Sequence, residues 1–254
     1  MRPGSDRSNE SIAIKRWLRW AWWGWLIMLH LVVLTFVLTS SKVRTSCEFV
    51  GLCKQAEISD YYLARRSFLR RRASLLGDGF SLVIGDSHIE GLAFERIDAY
   101  SLNAGIGGDT SVGLIQRLSD YEPMERWNYI VLAVGFNDLK YRGMEDIVEN
   151  YQEVLRRLGP NMAVYMTSVL PIDAAAADPK HGRKNELIIA LNNALQIEAD
   201  KHNNVSFVDL YSPVLDTSQS LSSKLHIGDG VHLNRAGQEI IIERLRAKIS
   251  AEKN

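Results

Sequence analysis

Strands alternating with helices predict an α/β fold, a doubly wound parallel sheet of about five strands covered on both faces. Short apolar runs occupy 80–85, Tyr100 to Asn103, Tyr129 to Val134, Ala163 to Val169 and Val205 to Leu210. Helical patterns fall between and after them, at 88–97, 110–119, 144–158, 185–202 and 235–250. The last carries Ala236, Ile240, Ile241, Leu245 and Ile249 on one stripe. With 254 residues, 46% of them hydrophobic, the chain has room for one sizeable domain plus extras.

Four segments are expected. Residues 1–16 are polar, carry Pro3, Gly4 and several serines, and read as a disordered cytoplasmic tail. Residues 17–39 read as one transmembrane helix ahead of the sheet. Within them Ala21 to Leu38 is eighteen residues long, has no formal charge, and is interrupted only by His30 and Thr35. Trp17, Trp20, Trp22, Trp23 and Trp25 suit the interfacial belt. A cleaved signal peptide is the rival reading, but Thr39-Ser40-Ser41 is a poor small-x-small site.

Residues 40–78 read as a linker. Arg2, Arg7, Lys15, Arg16 and Arg19 precede the span, whereas Lys42, Arg44 and Lys54 follow it, which leans towards an internal amino terminus. Cys47 and Cys53 are the only cysteines; a disulfide in an oxidising compartment and a pair of free thiols both stay open. An extracytoplasmic domain is therefore expected. Asp60 to Leu76 reads as a helix containing the five arginines between Arg65 and Arg72. It either packs on the domain or lies on a membrane surface, its arginines meeting anionic headgroups.

The domain itself is expected over 79–254. In a parallel sheet, ligands bind outside the carboxyl ends of the strands, so the residues following each strand matter most. Gly85-Asp86-Ser87-His88 follows the first; Gly85 permits unusual backbone angles, and a strand-turn-helix passage presents a serine hydroxyl. Asn103-Ala104-Gly105-Ile106-Gly107-Gly108-Asp109-Thr110 follows the second, and Gly135-Phe136-Asn137-Asp138 the third. Asp229-Gly230-Val231-His232 precedes the last helix, with Asn234 as its cap. The glycine-rich turn lacks both the third glycine of the dinucleotide fingerprint and a Walker lysine.

These blocks resemble those of the SGNH (GDSL-type) serine hydrolases, with counterparts of all four across roughly residues 80 to 245. The resemblance implies a three-layer flavodoxin-like fold and an esterase or lipase activity. It implies Ser87 as nucleophile, His232 as base and Asp229 as its orienting acid, a catalytic triad. It also implies an oxyanion hole formed by Ser87, Gly108 and Asn137. His88 stands where the first block often has leucine, and Phe136 replaces a small residue. His88 adjoins the serine and is expected in a structural or pocket role; His226 is the alternative base. His181 lies in a stretch, Pro171 to Arg183, expected at a substrate rim.

Thirty basic and thirty acidic residues cancel, which argues against a nucleic-acid binder. No cluster has metal-ligand spacing, and neither metal nor cofactor is expected. The leading expectation is a membrane-anchored serine esterase removing short acyl groups, such as O-acetyl, from an envelope glycan. Alternatives are a lysophospholipase or thioesterase acting on membrane-derived acyl chains, and a glycan-binding accessory domain with an idle triad.

Overall fold

The computed structural model describes residues 22–33, 58–178 and 184–252. Residues 22–33 are helical and largely exposed, and no helix among the described residues is long and apolar enough to cross a membrane. The flanks of the expected span, the 1–16 tail, Cys47, Cys53 and His181 lie outside the described residues. The chain divides into two units, residues 1–54 and 55–254, and the second carries the sheet.

Five parallel strands, β1 (Phe80–Gly85), β2 (Ser101–Gly105), β3 (Trp127–Ala133), β4 (Val164–Thr167) and β5 (Val205–Val208), lie in the order β2-β1-β3-β4-β5. The central strands β1, β3 and β4 bury both faces, so their apolar residues divide by parity. Leu82, Ile84, Ile130 and Leu132 enter one core, whereas Val83, Tyr129 and Val131 enter the other.

The first core is closed by α1 (Asp60–Leu75), α3 (Ser111–Arg117), α4 (Met144–Leu158) and α5 (Asn185–Ala199). The second is closed by α2 (Ser87–Glu90) and α6 (Arg235–Glu252). α4 shows how local chemistry sets such an element. Ile147, Tyr151, Val154, Leu155 and Leu158 form its buried stripe. The amide of Gly143 donates to Asp146 Oδ2 at its start, and Gly159, at φ +81°, supplies the positive φ at which the helix ends. At the start of α6, the Asn234 side chain accepts from the Gly237 amide at 3.1 Å, the expected cap.

One expected helix is cut short. The pattern at 88–97 gives only the single turn α2 and a separate 3-10 turn at Phe94–Arg96. Asn103, on β2, donates through Nδ2 to the carbonyls of Ile89 (2.7 Å) and Leu92 (2.8 Å), and Phe94 turns fully into the second core. The side chain of a neighbouring strand thus takes up carbonyls that a longer helix would have used. The strand bounds also shift: β2 runs on to Gly105, β3 begins at Trp127, and β4 and β5 stop at Thr167 and Val208.

α1, placed in the linker by sequence, packs on this unit through buried Tyr62, Leu69 and Ala73. Its outer surface leaves Leu63, Phe68 and Leu75 exposed beside Arg70, Arg71 and Arg72.

Candidate active site

The strand order reverses beside β1: β2 is laid on one side of it and β3 on the other. Connections then leave in opposite directions, opening a crevice at the carboxyl ends of these strands. Into it come Ser87 after β1, Gly107-Gly108 after β2 and Asn137 after β3.

Ser87 is the first residue of α2. Asp86 caps that turn, its Oδ1 accepting from the His88 amide at 3.0 Å. Gly85 is required for packing rather than for unusual backbone angles, since it is absent from the positive-φ glycines. A Cβ there would stand 2.4 Å from Ile89 Cγ1 and 2.5 Å from the Ala133 carbonyl oxygen. The turn carrying the serine is therefore pressed against β3.

The turn after β2 is closed by the Asp109 amide donating to the Ile106 carbonyl at 3.1 Å. Its third residue, Gly108, has φ +78°, which an L side chain rarely adopts. A buried ion pair braces this turn from beneath. Arg117 Nε donates to Asp109 Oδ2 at 2.8 Å, and its other nitrogens reach the carbonyls of Ala104 (2.8 Å) and Gly85 (3.1 Å) and the Tyr121 hydroxyl (2.7 Å). One guanidinium thus ties together the ends of β1 and β2. Burial alone would lower the pKa of Arg117, but the adjacent Asp109 carboxylate more than offsets this and keeps it charged.

Asn137 donates through Nδ2 to the Asp109 carbonyl at 3.0 Å, joining the third block to the second. Its neighbour Asp138 is fully buried and accepts from the amide (2.9 Å) and hydroxyl (2.5 Å) of Ser111 and from Arg142.

The last block supplies the acid–base pair. Ser87 Oγ lies 2.9 Å from His232 Nε2, and His232 Nδ1 lies 2.6 Å from Asp229 Oδ2. A carboxylate only accepts, so Nδ1 carries the hydrogen and Nε2 is left to accept from the serine. Partial burial pushes the Asp229 carboxyl up. Hydrogen bonds from the His232 ring and the amides of Val231 and His232 outweigh that and bring it to about 2.

His226 does not face the serine. Its Nδ1 accepts from the amides of Gly228 (3.0 Å) and Gly230 (3.1 Å), and Nε2 faces Asp173 Oδ2 at 3.2 Å. Both nitrogens are thus engaged in holding the loop that carries Asp229 and His232. His88 stands between Phe136 and His232, with ring centroids 5.5 and 5.4 Å away. It forms a wall of the site, as expected for a pocket residue.

Two cavities meet at Ser87, Phe136 and His232. One, of about 530 Å³, is lined by Gly108, Asn137 and Asp229 and also by Ile58, Ser59 and Tyr62. The other, of about 250 Å³, is mainly apolar, with Leu92, Val169, Leu170, Leu210 and Ile241 in its wall. Neither the Arg117–Asp109 brace nor the part taken by residues 58–62 was anticipated. In the sequence the brace is only a single arginine eight positions after an aspartate.

Residues 83–240 match the profile of the GDSL-like Lipase/Acylhydrolase family. No curated protein matches the chain. Among solved structures, a Streptococcus pneumonia protein described as a platelet activating factor is 22% identical, with a TM-score of 0.69 over 74% of this chain and 92% of its own. A GDSL-like lipase from Bacteroides thetaiotaomicron is 21% identical, with a TM-score of 0.61 over 74% and 98%. An acetyl-xylooligosaccharide esterase from Geobacillus is 18% identical, with a TM-score of 0.55 over 68% and 95%. At these identities the structures speak for the fold alone. The profile spans more than half the chain, which therefore belongs to the GDSL-like lipase/acylhydrolase family of hydrolases acting on ester bonds.

Proposed function

We propose that this hydrolase is a membrane-anchored serine esterase that removes short acyl groups, O-acetyl among them, from an envelope glycan. The continuous chain of hydrogen bonds from Ser87 through His232 to Asp229 carries the reading. A serine hydroxyl is a weak nucleophile until a neighbouring imidazole takes its proton. His232 Nε2 removes the Ser87 proton as Oγ bonds to the ester carbonyl carbon. It then returns that proton to the leaving alcohol as the acyl–enzyme forms. Asp229 holds the ring in the required tautomer and stabilises the imidazolium. Water, deprotonated by the same imidazole, bonds to the acyl carbon; the bond to Oγ breaks, the imidazolium returns the proton to Ser87, and the acyl group leaves as a carboxylic acid.

The negative oxygen of each tetrahedral intermediate is received by the Ser87 and Gly108 amides and the Asn137 side chain. Their value lies in being fixed before the charge appears. The Gly85 contact, the Arg117 brace and the Asn137–Asp109 bond supply that fixity.

The larger cavity, with both polar and apolar lining residues, suits a polar alcohol such as a sugar. The uncharged stretch Ala21 to Leu38 serves as the anchor, and the basic residues before it support an extracytoplasmic domain. The acetyl-xylooligosaccharide esterase of similar fold acts, by its description, on an acetylated glycan, consistent with this substrate class.

The apolar cavity beside Ser87 favours a second reading, an esterase for longer chains drawn from membrane lipid. Turnover across p-nitrophenyl esters of increasing chain length separates the two. Preference for acetate supports deacylation of a glycan; preference for octanoate or longer supports the lipid reading and overturns the first.

A further inference from the structure

We propose that α1 is part of the active site, and that Glu90 is the positioning residue through which it holds the oxyanion loop. The inference rests on the assignment of Gly108 and Asn137 as oxyanion donors. α1 lies outside the stretch that matches the family, residues 83–240.

Glu90 is the last residue of the one-turn helix that begins with Ser87. Its Oε2 accepts from the Gly107 amide at 2.6 Å, a short, charge-assisted bond. Its Oε1 accepts from the Tyr61 hydroxyl and lies 3.2 Å from Arg65 Nε. Two further bonds run directly from α1 to the same loop, Arg65 Nε to the Gly105 carbonyl at 3.3 Å and Tyr62 Oη to Asp109 Oδ1 at 3.2 Å. Gly105, Gly107 and Asp109 are therefore all held by α1, directly or through Glu90.

This clamp meets a specific need. Two consecutive glycines have more backbone freedom than any other pair, yet an oxyanion donor is useful only when it is already oriented. Holding the Gly107 amide restrains the peptide unit that precedes the one bearing the Gly108 N–H. The spacing is close. At the point where a Gly107 Cβ would sit, Glu90 Oε2 is 3.1 Å away, Tyr61 Cε1 3.7 Å and Ser87 Cβ 4.0 Å. A bare carboxylate so near the serine would oppose the developing oxyanion. Arg65 beside it offsets that charge, so α1 supplies both the orientation of the clamp and its neutralisation.

The test uses full-length protein and p-nitrophenyl acetate. Glu90→Ala is expected to lower kcat about tenfold with KM within about twofold, as loss of donor orientation requires. Glu90→Gln, which retains an acceptor for Gly107, recovers part of that loss. Tyr61→Phe lowers kcat about threefold alone and adds nothing in the Glu90→Ala background, because both act through one group. It removes only a hydroxyl, so it tests the clamp even where Glu90→Ala fails to fold. A kcat within twofold of wild type in both single variants overturns the proposal, as does full additivity between them. Asn137→Ala runs alongside: near-wild-type turnover in it overturns the oxyanion assignment itself, while turnover that survives in Ser87→Ala overturns Ser87 as the nucleophile.

Discussion

The two sides of the candidate site are built differently. Beneath the oxyanion turn, the side chains of Asp109 and Arg117 are 1% and 0% exposed, and Asp138 is fully buried. On the acid–base side, the Asp229 and His232 side chains are 39% and 44% exposed, on a loop held by His226 and Asp173. The difference follows from what each side has to do. Oxyanion donors stay still and gain from a dry, braced setting, where each hydrogen bond is electrostatically stronger. The imidazole has to exchange protons with a leaving alcohol and with water, and a half-exposed ring does that readily.

The comparison can be broken most severely on the acid–base side. Asp229→Asn leaves the loop in place but permits the wrong tautomer of His232, and turnover is expected to fall about 10⁴-fold. Steady-state kinetics on a p-nitrophenyl ester check this; a loss under tenfold would mean that the ring is oriented by something else.

On the braced side, Arg117→Met is expected to lower stability by about 3–5 kcal/mol, because it leaves the Asp109 carboxylate buried and unpaired. Denaturant unfolding measures it. Adding Asp109→Leu should restore part of the loss, since an apolar pair avoids the desolvation penalty.

Asn137→Ala should remove about 3 kcal/mol of transition-state stabilisation, a fall in kcat of a hundredfold or more, with the fold intact. Near-wild-type turnover in that variant would remove Asn137 from the oxyanion hole.

The smallest effect concerns pH. Asp229 titrates at about 2, against an ordinary 3.8, so the folded state favours its ionised form. The stability this supplies is present above pH 4 and lost as pH falls from 4 towards 2. Solvent screening of so exposed a pair holds it under about 1 kcal/mol. Thermal midpoints at pH 6 and pH 3 should therefore separate slightly more in wild type than in Asp229→Asn.

Much of the fold was legible because its signals are local. The runs at 80–85 and Tyr129 to Val134 are short, apolar and bounded by turn residues, and the stripe of α6 repeats at helical spacing. Gly85-Asp86-Ser87, Gly107-Gly108, Asn137 and Asp229 to His232 could be placed at one rim once the sheet was known to be parallel. What escaped depends on contacts distant in sequence. Asn103 ends α2 from another strand, Arg117 reaches Gly85 across two strand ends, and Glu90 meets Tyr61 on a helix read as linker. Gly85 was read for its backbone freedom, whereas its real constraint is the nearness of Ala133 and Ile89. Spacing within a chain does not reveal such approaches.

The most direct test of the account is the site of covalent capture. Folded protein incubated with a fluorophosphonate probe and mapped by tandem mass spectrometry is expected to carry one adduct, on Ser87, formed quickly in wild type and far more slowly in His232→Ala. An adduct elsewhere, or folded protein that stays unlabelled, would contradict the claim that Ser87 is a nucleophile activated by His232.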